Sequence, residues 1–322
     1  MIVTKHSHHA DCPICHAATD SVLSTKLRRG TGIVFYCAAC KHGFLAENQV
    51  QDAKAYYAEG YRKEYSHNAE AAETNAHEIF EVYKYYQKDR LREIVPYLSA
   101  STELLEVGAS SGQFLVNIKD KVAQVNAIEL DKACCAFLTS ELGIDADAEF
   151  LRESRFADRH YDVICAFQVL EHVPDPVVFL KELRASAKKG ATMFIEVPNL
   201  KDPLLSLWDV ESYQKFFYHS AHLHYFTDDS LREIARLAGF LDVQIEISFT
   251  QDYNLLNHLH WIMNNSPQSN CHIGLSEILL EGGDSEMANW LTQEMKQLNL
   301  KYVEKLIAAK CTSNMMMKLT NN

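Results

Sequence analysis

Through the middle of the chain, short apolar runs alternate with stretches of helical period. Leu104 to Val107, Val125 to Glu129, Tyr161 to Phe167 and Thr192 to Val197 read as buried strands, and the segments between them read as helices. A helix over Ser230 to Leu237 stops at Gly239 and hands over to a last strand from Val243 to Phe249. This alternation predicts an α/β fold with a mostly parallel, Rossmann-like sheet running from about Leu98 to Thr250. Upstream, from about Asn48 to Leu98, the pattern is helical and dense in tyrosine (Tyr56, Tyr57, Tyr61, Tyr65, Tyr83, Tyr85 and Tyr86), and Pro96 closes the run. Downstream, Leu255 to Met263 and Met287 to Ile307 read as helices, the second with Met287, Leu291, Met295, Leu298 and Tyr302 on one stripe. The tail from Cys311 to Asn322 reads as frayed. The expected organisation is an N-terminal unit over 1–47, a helical connection over 48–97, the sheet domain over 98–250 and a C-terminal helical extension over 251–322.

Composition narrows the function. The 322 residues are 47% hydrophobic and 23% charged, ordinary for a globular chain. A formal net charge of −12 argues against a nucleic-acid partner, since phosphate binding needs clustered Lys and Arg, and Lys26-Leu27-Arg28-Arg29 and Lys188-Lys189 are short. No apolar stretch is long enough to cross a bilayer, and Met1 to Ala10 is polar and His-rich, so no membrane association and a cytoplasmic location are expected.

Nine cysteines include two close pairs, Cys12-Pro13-Ile14-Cys15 and Cys37-Ala38-Ala39-Cys40. Two Cys-x-x-Cys pairs about twenty residues apart fit a four-thiolate structural zinc site. The β-like run Gly32 to Tyr36 leads into the second pair, and a unit this small needs such a staple. A closed shell of four sulfurs leaves no open position for chemistry. His6, His8, His9 and His16 lie nearby as competing ligands, the first three reading as a polar, mobile N-terminus.

The second constellation is Glu106-Val107-Gly108-Ala109-Ser110-Ser111-Gly112, an apolar strand running into a glycine turn and then a helix. That is where an open α/β sheet places its ligand. The spacing is Glu-x-Gly-x-x-x-Gly, which departs from the dinucleotide fingerprint. At the end of the next strand, the Glu129 carboxylate is placed to accept both hydroxyl hydrogens of a ribose, with Asp131 as the fallback or as a helix cap. A third block runs from Tyr161 through Gln168, Glu171 and His172 to Pro176.

These three blocks, in this order, resemble the class I S-adenosylmethionine-dependent methyltransferases over about Leu98 to Phe249, with Ser110 replacing the middle glycine of the fullest first motif. The resemblance implies a Rossmann-like methyltransferase core. It also implies cofactor contacts from Glu106, Gly108, Ala109, Gly112, Glu129, Leu130 and Gln168, with His172 shaping the site floor.

After the strand ending at Val197-Pro198-Asn199 comes Tyr218-His219-Ser220-Ala221-His222-Leu223-His224-Tyr225-Phe226-Thr227. With the zinc-binding N-terminus, this segment is similar to that of the deoxysugar C-methyltransferases, where the last histidine of a Tyr-His-Glu-His run is linked to proton abstraction. His222 matches that position, while Ser220 and Ala221 stand where that family has His and Glu. About seventy residues remain beyond the core, where those enzymes carry a sizeable third domain. Methyl transfer needs alignment and, for a protonated nucleophile, a base, which makes His222 and His219 the candidate catalytic residues. The segment also reads as an anchor for the next helix. Gln251 to Asn254 with Asn257, His258, His260 and Trp261 reads as a lid over a hydroxyl-rich acceptor or as a helix packed on the core.

The expected activity is methylation of a small, sugar-like or otherwise hydroxylated metabolite, with S-adenosylmethionine as donor and zinc as a structural ion. Two alternatives are methylation of a protein or RNA docked by the zinc unit, and a non-catalytic S-adenosylmethionine-binding protein. The apolar stripe from Met287 makes a homodimer plausible.

Overall fold

The computed structural model describes residues 3–28, 31–46, 53–61, 75–282 and 285–322. Arg29, Tyr65, the boundary expected between residues 47 and 48 and the side chain of His6 lie outside the described residues.

A seven-stranded sheet forms the core, in the order β11-β12-β9-β8-β5-β6-β7. Its strands are β5 (Glu103–Val107), β6 (Gln124–Ile128), β7 (Asp145–Asp147), β8 (Tyr161–Phe167), β9 (Ala187–Pro198), β11 (Ile245–Thr250) and β12 (Asn314–Asn321). β5 to β9 are parallel, with Leu104 opposite Val125 on one side and Val163 on the other. β12 is antiparallel to both β9 and β11. The strand order reverses between β5 and β8, so the carboxyl ends of β5, β6 and β8 open onto one crevice.

The expectation of a frayed tail is corrected here. Cys311 to Asn322 delivers an interior strand, and the extension after Thr250 is helical only until it returns to the sheet. Met315, Met317 and Leu319 pack into the apolar layer on one face, and Met316 packs into the layer on the other. A strand buried on both faces shows no polar alternation, and methionine carries little strand propensity, which is why period and composition miss it.

Caps start the helices where the sequence places them. Asp175 caps Pro176–Ala185 by accepting from the Val177 and Val178 N–H groups, and Thr227 caps Asp228–Leu237 in a reciprocal arrangement with Ser230. After Gly112 the expected helix is replaced by two short 3-10 turns, Leu115–Asn117 and Lys119–Lys121. The tyrosine-rich connection contains helices at Ala76–Tyr83 and Lys88–Ile94.

The N-terminal unit is a second sheet, ordered β1-β2-β3-β4-β10. Four of its strands are β1 (Thr4–Asp11), β2 (Ala18–Lys26), β3 (Thr31–Cys37) and β4 (His42–Leu45). The fifth, β10 (His224–Tyr225), comes from the His-rich segment, with His224 opposite Phe44 and Tyr225 opposite Gly43. His8 and His9 therefore belong to an edge strand, in place of a mobile terminus.

Along the Ser285–Ala308 helix the buried positions are Thr292 and Leu306. Met287, Trp290, Leu291 and Leu298 are exposed, so the protein-facing side is rotated from the stripe expected from sequence. Among the described residues no helix is long and apolar enough to cross a membrane.

Candidate functional site

The four N-terminal cysteines converge. Cys12 Sγ lies 3.5 Å from Cys40 Sγ and Cys15 Sγ lies 3.4 Å from Cys37 Sγ, with all four sulfurs within 4.8 Å of one another. Sulfurs about 2.3 Å from a tetrahedral zinc stand roughly 3.8 Å apart, so the set fits that ion. His16 and Lys41, each the residue after the second cysteine of a pair, sit at φ 59°, and the His16 N–H donates to the Cys12 carbonyl at 2.9 Å. The two turns are thus matched knuckles.

One large cavity of about 2580 Å³ opens at the carboxyl ends of β5, β6 and β8. Pockets for a single small ligand are typically ~300–1,000 Å³, so donor and acceptor fit side by side. Glu106, Gly108, Glu129, Leu130 and Gln168 line the cavity, and so do Glu171, His172 and His222.

At the donor end Gly108 adopts φ +78°, and a Cβ there would stand 2.4 Å from Val169 Cγ2, so turn and packing both demand glycine. The Glu129 carboxylate is preset by two backbone donors: the Ser110 N–H donates to Oε2 at 2.6 Å and the Asp131 N–H donates to Oε1 at 2.8 Å. Asp131 caps the following helix by accepting from the Cys134 N–H. Glu106 is buried, its Oε2 has no hydrogen-bond partner, and burial raises its pKa well above the usual carboxylate range. An orphaned carboxylate oxygen beside the cavity suits the ammonium of a methionine moiety, and a preset Glu129 suits a ribose, so the residues fit S-adenosylmethionine.

Ala109 and Gly112 do not join Glu106 and Gly108 at the cavity wall. Ala109 packs into the apolar layer beneath the turn. Gly112, at φ +79°, backs onto Leu138 and Leu142, where a Cβ would stand 2.6 and 2.7 Å from their methyl groups. Both shape the loop from behind.

The floor contains a polar network that the sequence reading missed. Gln168, at φ 56°, donates through Nε2 to Glu196 Oε1 at 3.1 Å and to Asn314 Oδ1 at 3.2 Å. Arg90 donates to Glu196 through Nε at 3.1 Å and Nη2 at 2.5 Å, and its guanidinium lies 4.5 Å from the centre of the Phe167 ring. Asn314 Nδ2 donates to Asp252 Oδ2 at 2.6 Å. Arg90 lies in the tyrosine-rich connection and Asn314 on the C-terminal strand, and neither carries a local motif.

Elsewhere on the cavity wall two histidines gather around Glu171. His172 Nε2 stands 3.9 Å and His222 Nε2 4.0 Å from Glu171 Oε1. His219 lies behind His222, their ring centroids 3.6 Å apart, and does not line the cavity. Burial holds His172 near pKa 4 and His219 near 3, pushes His222 well below the ordinary histidine range, and raises Glu171 to about 8. His224 turns away to meet His42, 3.0 Å between ring nitrogens, inside the N-terminal sheet. Gln251, Asp252, Tyr253, Asn254, Asn257 and Trp261 line the cavity, whereas His258 is buried and meets the Tyr302 hydroxyl through Nδ1 at 2.8 Å.

A family described as a methyltransferase domain matches residues 76–245. The ubiquinone biosynthesis O-methyltransferase of Nitrosospira multiformis is 29% identical over 171 residues, which take in 50% of this chain and 70% of that protein. The protein of the same description from Aeromonas salmonicida is 24% identical over 148 residues, 43% of this chain and 62% of its own length. A solved S-adenosylmethionine-dependent methyltransferase from Archaeoglobus fulgidus shares 18% identity at a TM-score of 0.46, covering 74% of this chain and 94% of that one. With the glycine turn and the acidic strand end on one crevice and the matched family spanning both, this chain belongs to the methyltransferase-domain family as a class I S-adenosylmethionine-dependent enzyme.

Proposed function

We propose that the chain methylates an oxygen of a small hydroxylated metabolite and that His222 serves as the general base, with zinc held by Cys12, Cys15, Cys37 and Cys40 as a structural ion. The observation that carries this reading is one cavity lined both by Glu106, Gly108, Glu129 and Gln168 and by the buried imidazoles of His172 and His222. Bound S-adenosylmethionine supplies an electrophilic methyl group. Glu129 accepts from the ribose hydroxyls, Glu106 from the ammonium, and the Gln168 side chain is held still by Glu196 and Asn314. His222 is neutral across the physiological range because burial depresses its pKa, so its ring is free to accept a hydroxyl proton at Nε2, and Glu171 stands 4.0 Å away. Tyr253, Asn254, Asn257 and Trp261 on one wall and Tyr57, Tyr61, Tyr83 and Tyr86 on another bring hydroxyl, amide and aromatic groups that suit a hydroxylated ring. The relatives described as O-methyltransferases favour oxygen over carbon or nitrogen as the acceptor.

The test is transfer of labelled methyl from S-adenosylmethionine to a panel of catechols, phenols and hexoses, with donor binding followed by calorimetry. His222→Ala is expected to keep donor binding and lose at least tenfold in turnover, since general base catalysis contributes ~10²–10⁴-fold. Unchanged turnover removes His222 from the base role, and preference for an amine or a carbanion acceptor removes the oxygen assignment.

A further inference from the structure

We infer that Glu171, His172 and His222 form a second metal site, a two-histidine, one-carboxylate set for a borderline divalent cation such as zinc, cobalt(II) or iron(II), at the acceptor end of the cavity. This site is distinct from the four-cysteine cluster, and the acceptor would complete the ion's shell.

The case starts from proton positions. His172 Nδ1 lies 2.9 Å from the Ala221 carbonyl oxygen, and a carbonyl only accepts, so Nδ1 carries the hydrogen. The Tyr57 hydroxyl, 3.1 Å from the same nitrogen, supports that ring from the other wall. Neutral His172 therefore presents a bare lone pair at Nε2. What that lone pair faces is Glu171 Oε1 at 3.9 Å, another acceptor. His222 Nε2 faces the same oxygen at 4.0 Å, and the three ligand atoms lie within 4.8 Å of one another. Neither oxygen of Glu171 has a hydrogen-bond partner, although its side chain is 1% exposed. A buried carboxyl group without a hydrogen-bond partner is costly, and the Glu171 carboxyl and the two ring nitrogens converge where a cation would hold Glu171 as the carboxylate and bind them together.

Geometry and chemistry agree with a cation. Donors about 2.1 Å from zinc at tetrahedral angles stand ~3.4 Å apart, so each imidazole nitrogen needs to draw in toward Glu171 Oε1 by roughly half an ångström. The hydrogen bond from His172 Nδ1 to a backbone carbonyl is the outer contact that ligating histidines make, fixing tautomer and ring plane together. Imidazole plus carboxylate selects zinc, iron or cobalt over magnesium or calcium. Three protein ligands leave positions open toward the cavity, unlike the closed cysteine shell.

This placement rests on the proposed reading in one respect, that the acceptor lies beside the cluster. With an ion held by Glu171, His172 and His222, His222 would be a ligand in place of the base, and the ion would supply the acidification of an acceptor hydroxyl that the base otherwise provides.

The experiment is metal stoichiometry of the full chain after dialysis against zinc, with cobalt(II) spectroscopy in parallel. The wild-type chain is expected to hold two equivalents. Glu171→Gln and His222→Ala are each expected to hold one, with melting temperature and donor binding kept as controls of folding. Cobalt(II) distinguishes the sites without any variant, because thiolate charge-transfer absorption accompanies only the cysteine equivalent and the second adds weak d–d bands alone. One equivalent in the wild type, a second that persists in both variants, or a second that adds thiolate absorption overturns the assignment. Failure of donor binding in the wild type would instead sink the methyl-transfer reading and leave the metal count standing.

Discussion

Replacing Glu129 separates two roles that the structure superimposes. Its carboxylate braces the glycine turn through the Ser110 and Asp131 N–H groups, and the same carboxylate is assigned to the ribose. In Glu129→Ala both N–H groups are released, but the residue is half-buried, so water replaces the acceptor. The brace should therefore be worth about 1 kcal/mol, a fall of roughly 2–4 °C in the melting temperature of the ligand-free chain. Hydrogen bonds to a charged acceptor are worth ~1.5–3 kcal/mol, so losing the ribose contact should weaken S-adenosylmethionine by about 10- to 150-fold. Glu129→Gln keeps one oxygen, which satisfies one of the two N–H groups, and should fall between. Calorimetry for the donor and thermal melting of the free chain read the two effects separately. A variant that melts earlier yet binds the donor within twofold of wild type would show that Glu129 is a brace alone and would refute the ribose assignment.

Gly108→Ala forces a methyl group to 2.4 Å from Val169 Cγ2 on a backbone at φ +78°, and should cost ~2–4 kcal/mol, measured by denaturant unfolding. Adding Val169→Ala should recover the overlap and leave the backbone strain, and no recovery would place the strain elsewhere. Acidification should destabilise the chain. Burial holds His219 near pKa 3 and His224 and His258 near 4, below the unfolded value of ~6.5, so the unfolded chain binds the extra protons. Their stabilisation is complete above pH ~6.5 and is lost as pH falls toward 4. Glu171 and Asp202, raised by burial to about 8 and about 7, pull the other way, so Glu171→Gln should steepen the acid loss between pH 7 and 5 in denaturant melts. Replacing a ligand of the four-cysteine site, Cys37→Ser, should raise protease cleavage within residues 3–46 and lower turnover together, and undiminished turnover would uncouple the two sheets.

How much of this was legible depended on whether the information was local. The strand Tyr161–Phe167 falls where the apolar run ends, and the caps Asp175 and Thr227 precede their helices, because period and capping are set by neighbours in sequence. The two cysteine pairs and the Glu106 to Gly112 turn were readable for the same reason. The strand Asn314–Asn321 was not, since burial on both faces erases alternation and its partners lie more than sixty residues away on β11 and more than a hundred away on β9. Arg90 and Asn314 joined the site only through tertiary pairing with Glu196 and Gln168. Glu171 was visible as part of a motif, but its lack of any donor is a property of the buried site.

The histidine segment is where these long-range effects meet. His219 and His222 sit on the stretch that immediately precedes β10, and β10 is the edge strand of the N-terminal sheet. Leu45 donates to the Leu223 carbonyl at 3.0 Å from one side, and Leu223 donates to the Glu171 carbonyl at 2.8 Å on the other. The backbone around His222 is thus clamped between β4, two residues after the second cysteine knuckle, and the residue that faces its ring. A hydrophobic cluster joins Leu23 and Val34 of the N-terminal sheet to Leu200, Tyr218 and Tyr225 from the segment that follows β9. An N-terminal unit stapled by four sulfurs therefore does more than extend the chain, since the register of β4 against β10 sets where His222 stands relative to Glu171.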